Sequence, residues 1–463
     1  MALLFDTIAA VSTPPGKGGV DVIRMSGESA DEIASRVFVP KGNVEYSEIS
    51  PRMQVYGFIE KCGERIDDVL LTRFPAPKSY TGEDIVEISC HGGVLVTRTV
   101  LEALLSSGAR YAEAGEFTKR AFIHGKLSLT EAEAIGTLLD AEGEWQIKLA
   151  SEPSRRRLSE KISSMRTSLV RLMSSMYARI DYPDEDLGDF NDSELLSALM
   201  SVRSEMIALK DTYRTGRAVT SGISTAIIGK PNVGKSSLYN LLIGEDAAIV
   251  TSLAGTTRDV LERSAPLGKV MLRLYDTAGI RECKALDAVE SIGIEKSRKM
   301  IEKCELLFTI FDATRPFDAE DETILREIKS SNATKIALIN KCEEKIVFDE
   351  KRLVGHFDAI LKISTFDECG TVCALSETVN ARFTDGKLNI SRDAVIYSAR
   401  QHSSLELALE YLDAACDALK LGVSQDAVSS DVEKAIGALG ELDGRAVGEE
   451  IVGDIFSRFC VGK

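Results

Sequence analysis

The sequence contains no run of about 20 apolar residues, so no segment of it is expected to span a membrane. Its opening stretch, MALLFDTIAAVSTPP, carries Asp6 and lacks a basic start, which argues against a signal peptide and an Arg-rich transit peptide. The nine cysteines form no C-x-x-C pair and have no histidine at metal-ligand spacing, which argues against a zinc site or a disulfide framework. Together these absences predict a reduced, cytoplasmic protein.

Positive charge is also in deficit. The chain has 56 Lys and Arg against 72 Asp and Glu, which gives a formal net charge of −16. Proteins that coat nucleic acid are basic, so this charge argues against that class, although a local basic surface on an acidic protein suffices to bind RNA. At 463 residues, the chain is long enough for two to four domains.

Four stretches of the chain differ in their pattern of apolar residues, and they predict its domains. Residues 1–118 mix short strand-like runs, such as DVIRM and DIVEIS, with Gly and Pro turns, which is typical of an α/β unit. Residues 119–216 and 387–463 carry apolar residues at helical spacing. Residues 217–386 alternate strand-like and helical sequence, which predicts a parallel sheet covered on both faces. The prediction is a multidomain α/β plus all-α protein, in which this α/β domain is inserted into a discontinuous helical domain.

The strongest chemical motif is GKPNVGKS, Gly229–Ser236, which matches G-x-x-x-x-G-K-[ST]. It follows the predicted strand STAII and precedes the predicted helix SSLYNLL, which is the context that such a phosphate loop requires. Its glycines allow backbone N–H groups to surround the phosphates, Lys235 reaches the β- and γ-phosphates, and Ser236 can hold Mg²⁺. The sequence therefore predicts a nucleoside triphosphate site at this loop.

Three further elements favour GTP over ATP. DTAG, Asp276–Gly279, ends the next predicted strand, where it can hold Mg²⁺ through water and sense the γ-phosphate. GTTRD, residues 255–259, supplies a switch threonine, and Thr257 is the better candidate ligand. NKCE, Asn340–Glu343, follows the strand KIALI at the position where guanine is read. The inserted domain is therefore predicted to be a Ras-like P-loop GTPase domain.

These motifs depart from their common forms in two places. Glu343 stands where an aspartate usually accepts two hydrogen bonds from guanine, and its extra methylene predicts a weakened guanine selectivity; the alternative is an ordinary surface acid. Ile280 stands where Ras-like switches carry a water-orienting glutamine, so catalysis must use another group. The amide oxygen of Asn232 could hold a monovalent cation against the phosphates; the alternative is that Asn232 only stabilises the loop.

Short motifs of a second kind are spread over every predicted domain: TPPGKGGVDVIRMSG, YTGEDIVEISCHGG, GEFTKRAF, KLSLTEAEA, DYPDE, GTTRDV, DTAGIRE and the terminal FCVGK. Shared P-loop ancestry alone would not produce them. Together they resemble the MnmE (TrmE) family of bacterial tRNA-modification GTPases. The resemblance implies that residues 1–118 form a tetrahydrofolate-binding domain that also mediates homodimerisation.

For the GTPase domain, the resemblance implies metal ligands, nucleotide contacts and a catalytic glutamate. The implied Mg²⁺ ligands are Ser236 and Thr257, and the implied glutamate that positions water is Glu290. The implied K⁺ contacts are Asn232, Thr251, Leu253 and Thr256. The implied GTP contacts are Asn232, Val233, Gly234, Lys235, Ser236, Ser237, Thr251, Thr256, Thr257, Asp276, Thr277, Ala278, Gly279, Asn340, Lys341, Glu343 and Ser364.

For the N-terminal domain, the resemblance implies that 5-formyl- or 5,10-methylene-tetrahydrofolate contacts Arg24, Glu87, Lys126 and Lys463. From the residues alone, Glu87 is a strand acid that either faces a pocket and binds a pterin edge, or faces solvent. Family members work with a flavoprotein, MnmG, which holds FAD and uses NADH. Together they build an aminomethyl or carboxymethylaminomethyl group on C5 of the wobble uridine of tRNA.

The chain ends in RFCVGK, and the resemblance gives Cys460 a role. CVGK is similar to a prenylation box, but lysine is not a usual last residue of that signal. The resemblance places Cys460 on a short arm that reaches the folate pocket, as a nucleophile or general acid–base group. The rival hypothesis is a non-enzymatic switch GTPase of ribosome assembly, which the P-loop domain alone fits equally well.

Overall fold

A computed structural model describes residues 6–42, 44–181, 192–244, 262–275, 301–386, 388–445, 448–457 and 459–462. The chain divides into two compact units. The first contains Met1–Gly136, Ile162–Val170 and Glu433–Lys463, and the second contains Thr137–Lys161 and Arg171–Val432. The domain boundaries expected at 118, 216 and 386 stay a prediction.

The first unit is built on a sheet in the order β3-β4-β5-β6-β2-β1-β7, which is antiparallel except for the parallel pair of β1 and β7. Along β2 and β6, buried residues such as Ile23, Met25 and Ile88 alternate with half-buried Arg24 and Glu87, because successive side chains of a strand point to opposite faces. The strands are β1 Ile8–Val11, β2 Val20–Ser26, β3 Phe38–Pro40, β4 Val55–Lys61, β5 Glu64–Phe74, β6 Ile85–His91 and β7 Arg110–Tyr111.

Helices cover the buried side of this sheet. Ile33 of α1 and Val100 and Leu104 of α2 share one hydrophobic core with Ile23 and Ile88 of the sheet. A smaller core joins Leu129 and Ala132 to Val452 and Phe456 near the end of the chain. The helices are α1 Ala30–Val37, α2 Val94–Ser106, α3 Glu116–Ile123 and α4 Leu129–Leu139, with Glu449–Ser457 as the last helix of the chain.

The second unit contains the parallel sheet that the alternating apolar runs predict. Its order is β13-β12-β11-β8-β10-β9, and only the edge strand β9 runs antiparallel to its neighbour. The central strand β11 is buried at every position, with Leu306, Phe308 and Ile310 in one core and Leu307 and Phe311 in another. The strands are β8 Ile223–Gly229, β9 Glu262–Leu267, β10 Val270–Tyr275, β11 Leu306–Asp312, β12 Thr334–Asn340 and β13 Ala359–Lys362.

The remaining helices include a long antiparallel pair, α7 and α12. Ion pairs between Arg203 and Asp413 and between Lys210 and Glu406 join these two helices. These helices are α5 Glu144–Ala150, α6 Glu152–Asp181, α7 Asp192–Asp211, α8 Tyr213–Thr220, α9 Lys235–Ile243, α10 Ala319–Ile328, α11 Glu368–Phe383, α12 Ala399–Lys420, α13 Gln425–Asp443 and α14 Glu449–Ser457. Short 3-10 turns lie at Tyr46–Glu48 and Glu350–Leu353. Among the described helices, none is long and apolar enough to cross a membrane.

Candidate functional site

The predicted phosphate loop connects the carboxyl end of β8 to the first turn of α9. Gly234 caps the helix with a φ of 108°, and Asn232 also has a positive φ of 64°, a conformation that Gly and Asn tolerate best. A Cβ on Gly234 would lie 2.2 Å from Nδ2 of Asn340, so the loop passes too close to that amide for any side chain. The exposed N-terminus of α9 presents backbone N–H groups and the positive end of the helix dipole to an anion.

Two lysines hold this loop in place. Nζ of Lys235 donates a hydrogen bond of 2.5 Å to the carbonyl of Lys230. Nζ of Lys230 donates in turn to Asp318 and Asp321, each at 2.8 Å, and Lys230 is only 8% exposed. Burial alone would lower the pKa of Lys230, but the two carboxylates outweigh it and raise that pKa above its ordinary value. Lys230 occupies a variable position of the motif, so sequence reasoning missed it.

Asn340 joins three loops at the carboxyl edge of the sheet. Its Nδ2 donates to the carbonyl of Val233 at 2.9 Å, and its Oδ1 accepts from the N–H of Thr365 at 3.1 Å. The side chain is 1% exposed, so both hydrogen bonds are shielded from water. Asn340 therefore ties the end of β12 to the phosphate loop and to the loop that follows β13.

Lys341 continues this arrangement toward β11, because its Nζ donates to Oδ2 of Asp312 at 2.7 Å. Burial would raise the pKa of Asp312, but the hydrogen bonds from Lys341 and Thr314 outweigh it and lower that pKa below its ordinary value. Asp312 is therefore ionised near neutral pH. Sequence reasoning did not identify Asp312, although its place at the end of an apolar strand of the same sheet was a usable signal.

The other predicted nucleotide residues fall into two groups. Ser236 and Ser237 are exposed in the first turn of α9, Val233 is buried beneath the loop, Glu343 is exposed, and Ser364 is half-buried. An exposed hydroxyl at Ser236, beside the anion-binding turn, is suited to a divalent cation. Outside the described residues lie Thr251, Leu253, Thr256, Thr257, Asp276, Thr277, Ala278, Gly279 and Glu290.

Two of the predicted folate residues form a pair across neighbouring strands of the first unit. Arg24 of β2 lies opposite Glu87 of β6, and Nε of Arg24 donates to Oε1 of Glu87 at 2.9 Å. The guanidinium also lies over two aromatic rings, 5.6 Å from the ring centroid of Tyr80 and 5.8 Å from that of Phe117. Phe117 is fully buried, so the site combines a partly exposed ion pair with the half-buried ring of Tyr80, which suits a planar ligand with a polar edge.

Lys126 contacts the segment 77–82, which also carries Tyr80. Its Nζ donates to the carbonyl of Pro77 at 2.9 Å, and Nδ1 of His124 lies 2.8 Å from the carbonyl of Thr81. The segment therefore connects Lys126 to the Arg24 cluster through the backbone rather than through direct side-chain contact.

A buried polar network in the same unit contains no predicted site residue. Arg120, 2% exposed, donates hydrogen bonds to Asp6, Glu83 and Glu116, and Arg110 donates to Asp6 and Glu116. Burial would raise the pKa of Glu116, but the arginines outweigh burial and lower that pKa below its ordinary value. The spacing of Glu116 and Arg120, one helical turn apart in GEFTKRAF, was a signal for this network.

The C-terminal segment 459–462 is fixed to the first unit by its backbone. The carbonyl of Cys460 accepts from the N–H of Gly115 at 3.3 Å, and Val461 forms a bridge with Ala114. The carbonyl of Gly462 accepts from Oγ of Ser12 at 3.1 Å, directly after β1, which is the neighbour of the strand that carries Arg24. The side chain of Cys460 is exposed. Lys463, the fourth predicted folate contact, lies outside the described residues.

Comparisons with known proteins cover the whole chain. A family model described as "GTP-binding protein TrmE N-terminus" matches residues 7–126, and one described as "MnmE helical domain" matches residues 129–460. The curated "tRNA modification GTPase MnmE" of Desulforamulus reducens is 39% identical over 466 residues, with 100% of both chains covered. The protein of the same name from Acetivibrio thermocellus is 37% identical over 465 residues, with 99% of each chain covered.

A third relative of that name, from a Thermotoga species, is 39% identical over 461 residues, with 99% of this chain and 100% of the relative covered. A solved structure of Aquifex aeolicus Era bound to GDP and AlF4⁻ is 25% identical, covers 41% of this chain and 66% of that chain, and has a TM-score of 0.27, which is too low to support a statement about fold. The full-length relatives and the two family models are decisive: the chain belongs to the MnmE family of tRNA modification GTPases.

Proposed function

We propose that this chain hydrolyses GTP and uses the resulting motion to drive a folate-dependent modification of tRNA. The observation that carries the proposal is Asn340, whose amide ties the phosphate loop to the loop after β13 in a chain related over its full length to tRNA modification GTPases. The product would be an aminomethyl or carboxymethylaminomethyl group on C5 of the wobble uridine. A partner protein, MnmG, would hold FAD and use NADH.

The phosphates of GTP would lie against the first turn of α9. Lys235 would exchange its hydrogen bond to the carbonyl of Lys230 for the β- and γ-phosphate oxygens. Asn340, Lys341, Glu343 and Ser364 would surround the base. The carboxylate of Glu343 would accept hydrogen bonds from the edge of the guanine ring.

Mg²⁺ at Ser236 and Thr257, and K⁺ at Asn232, Thr251, Leu253 and Thr256, would supply positive charge beside the phosphates. Asn232 suits this role because its side chain is exposed on a loop of positive φ. Water would attack the γ-phosphorus while the bond to the bridging oxygen breaks, which yields GDP and phosphate. Glu290 would orient that water.

GTP hydrolysis in KCl and in NaCl tests this half of the proposal. We expect hydrolysis by the wild-type chain to be faster in KCl, to lose its K⁺ dependence in Asn232→Ala, and to be absent in Lys235→Ala. Lys329→Ala, which removes an exposed lysine at the end of α10, is the matched control and should hydrolyse GTP normally. A wild-type chain without GTPase activity in either salt would contradict the proposal.

The first unit would bind 5-formyl- or 5,10-methylene-tetrahydrofolate, which supplies the one-carbon unit. Glu87 would accept hydrogen bonds from the pterin edge, Arg24 would hold Glu87 in position, and the half-buried ring of Tyr80 would offer a flat face beside it. Lys126 would contact the carboxylates of the glutamate tail, with Lys463. Calorimetric titration with 5-formyl-tetrahydrofolate should show binding by the wild type that Glu87→Gln weakens about tenfold or more.

Cys460 would act beside the folate as a nucleophile or a general acid–base group. The backbone bonds of Cys460, Val461 and Gly462 to Gly115, Ala114 and Ser12 support this role, because they hold the thiol-bearing segment next to the sheet that carries Arg24.

The chain would act in the cytoplasm as a homodimer, and two such chains would assemble with MnmG and tRNA. Exposed apolar side chains on the first unit support dimerisation: Val94 and Leu95 at the start of α2, and Val20 at the start of β2. Such side chains are suited to contact with a second copy of the same unit.

A further inference from the structure

Phe366 is the most exposed of the large apolar side chains in the described part of the chain. It lies in the loop between β13 and α11 and is 84% exposed. Burial of an aromatic ring stabilises a protein, and a ring exposed to water does not make this contribution. An aromatic ring so exposed in an ordered loop therefore points to a ligand that covers it.

The backbone that carries this ring is well fixed. The N–H of Thr365 donates to Asn340 at 3.1 Å, and the N–H of Asp367 donates to the carbonyl of Ser364 at 3.0 Å. Asp367 is also the N-cap of α11, where its side chain accepts from the N–H of Gly370. The ring is therefore presented by a rigid turn and not by a loose loop.

The turn lies at the same edge of the sheet as the phosphate loop. β12 and β13 are parallel neighbours, with Ile339 opposite Lys362, so the loops after them emerge at the same edge of the sheet. Oδ1 of Asn340 accepts a hydrogen bond from the N–H of Thr365, the residue before Phe366. Nδ2 of Asn340 donates to the carbonyl of Val233 in the phosphate loop. One amide thus connects the exposed ring to the phosphate site.

We propose that Phe366 is the surface on which the purine base of the bound nucleotide stacks. This inference rests on the proposed GTP site and adds a contact residue to it. A purine has apolar faces and a polar edge; the ring would cover a face while Glu343, exposed on the neighbouring loop, accepts hydrogen bonds from the edge. The residues beside the ring, Thr365 and Asp367, are polar, so the ring is not part of an apolar patch that a protein partner would need.

Stacking and edge recognition predict different selectivity, and this separates Phe366 from Glu343. Every base offers a π-face, so Phe366→Ala should weaken binding of GDP and of inosine diphosphate by the same factor, about tenfold, and Phe366→Tyr should restore it. Inosine lacks the 2-amino group of guanine. Glu343→Gln should therefore change the ratio of the two affinities, which Phe366→Ala should leave unchanged.

A second readout reports stacking directly. The chain has one tryptophan, Trp145, so the double variant Trp145→Phe, Phe366→Trp carries a single indole at the proposed contact. GDP should quench its fluorescence, because the indole would stack on guanine. Inorganic pyrophosphate, which offers the phosphate loop an anion without a base, should leave the fluorescence unchanged.

Three results would overturn the inference. GDP binding by Phe366→Ala equal to that of the wild type, with binding lost in Lys235→Ala, would remove the stacking role and leave the GTP site standing. Equal quenching by GDP and pyrophosphate would show that the indole senses the loop and not the base. Absence of GDP binding by the wild type would overturn both this inference and the proposed GTPase function.

Discussion

Lys230 connects the phosphate loop to α10 through one buried ammonium group. Its partners, Asp318 and Asp321, also form the capping arrangement at the start of α10, where Asp318 accepts from two backbone N–H groups. The carbonyl of Lys230 accepts a hydrogen bond from Nζ of Lys235. One lysine therefore fixes the loop that surrounds the phosphates and the helix that packs beside it.

Replacing Lys230 with Met should destabilise the second unit. Asp321 is 2% exposed, and loss of the ammonium would leave its carboxylate buried without a cation, at a cost of about 3 kcal/mol. Urea unfolding followed by circular dichroism would measure the change. Lys329→Met, at an exposed position at the opposite end of α10, should unfold at the same urea concentration as the wild type.

The residues of the nucleotide site differ in how far the sequence predicts them. Lys235, Asn340 and Lys341 are predictable because their motifs follow apolar strands, and parallel strands end at one edge of a sheet. The contacts of these side chains, such as that of Lys235 with Lys230 and that of Lys341 with Asp312, are not predictable, since they depend on how separate segments pack. No motif identifies Asp312, whose carboxylate meets Lys341 only after β11 and β12 have paired.

At the level of elements, α3 is fixed to the sheet by charge as well as by packing. Glu116 and Arg120 lie one turn apart on this helix. They form hydrogen bonds with Arg110 of β7 and with Asp6, which precedes β1. The pKa of Glu116 is lowered by these arginines despite its burial. A lowered carboxyl pKa in the folded state stabilises the fold above the unfolded pKa, and that contribution is lost as the pH falls through the folded pKa.

Glu116→Gln should therefore destabilise the first unit by about 2 kcal/mol near neutral pH. The difference from wild type should be constant above about pH 5 and should shrink as the pH falls below 4.5, the ordinary pKa of the group. Urea midpoints measured between about pH 3.5 and pH 7 would follow this change. A difference that grows toward acid pH would contradict the assignment. Glu113→Gln, which alters an exposed side chain in the same turn, should show little effect at any pH.

The C-terminal segment offers an element-scale test that leaves Cys460 intact. Gly462 has a φ of 97°, and a Cβ there would lie 2.2 Å from the carbonyl of Val11. Gly462→Ala should displace the segment and reduce tRNA modification at least several-fold, while GTP hydrolysis stays at the wild-type rate. Gly453→Ala, on α14 where an added Cβ meets nothing within 4 Å, is the control. Full modification by Gly462→Ala would show that the position of the segment does not matter.

For the whole molecule, the exposed apolar side chains of Val94 and Leu95 at the start of α2 predict self-association. Leu95→Asp places a charge there and should convert the homodimer into a monomer of 50.4 kDa in size-exclusion chromatography with light scattering. Leu421→Asp, at an equally exposed position after α12, should remain a dimer. An unchanged mass for Leu95→Asp would place the dimer contact elsewhere.

The mixed α/β and helical content could be predicted from the sequence, because strand-like and helical patterns occupy separate stretches. The family was also predictable and is confirmed by the full-length relatives. The family resemblance predicts a C-terminal arm that reaches the folate pocket, but the hydrogen bond of Gly462 to Ser12 could not be predicted, since contacts between the two ends of a chain have no local pattern. The predicted roles of Glu290 and Thr257 stay predictions, because both residues lie outside the described ranges.

The most direct test of the account is the nucleoside composition of tRNA, measured by mass spectrometry. A strain that lacks this protein would be rescued with the wild type, with Cys460→Ser or with Lys235→Ala. We expect only the wild type to restore the C5 modification of the wobble uridine. Restoration by Cys460→Ser would disprove the thiol role alone. Modification that never depended on the protein would contradict the central claim and favour a switch GTPase of ribosome assembly.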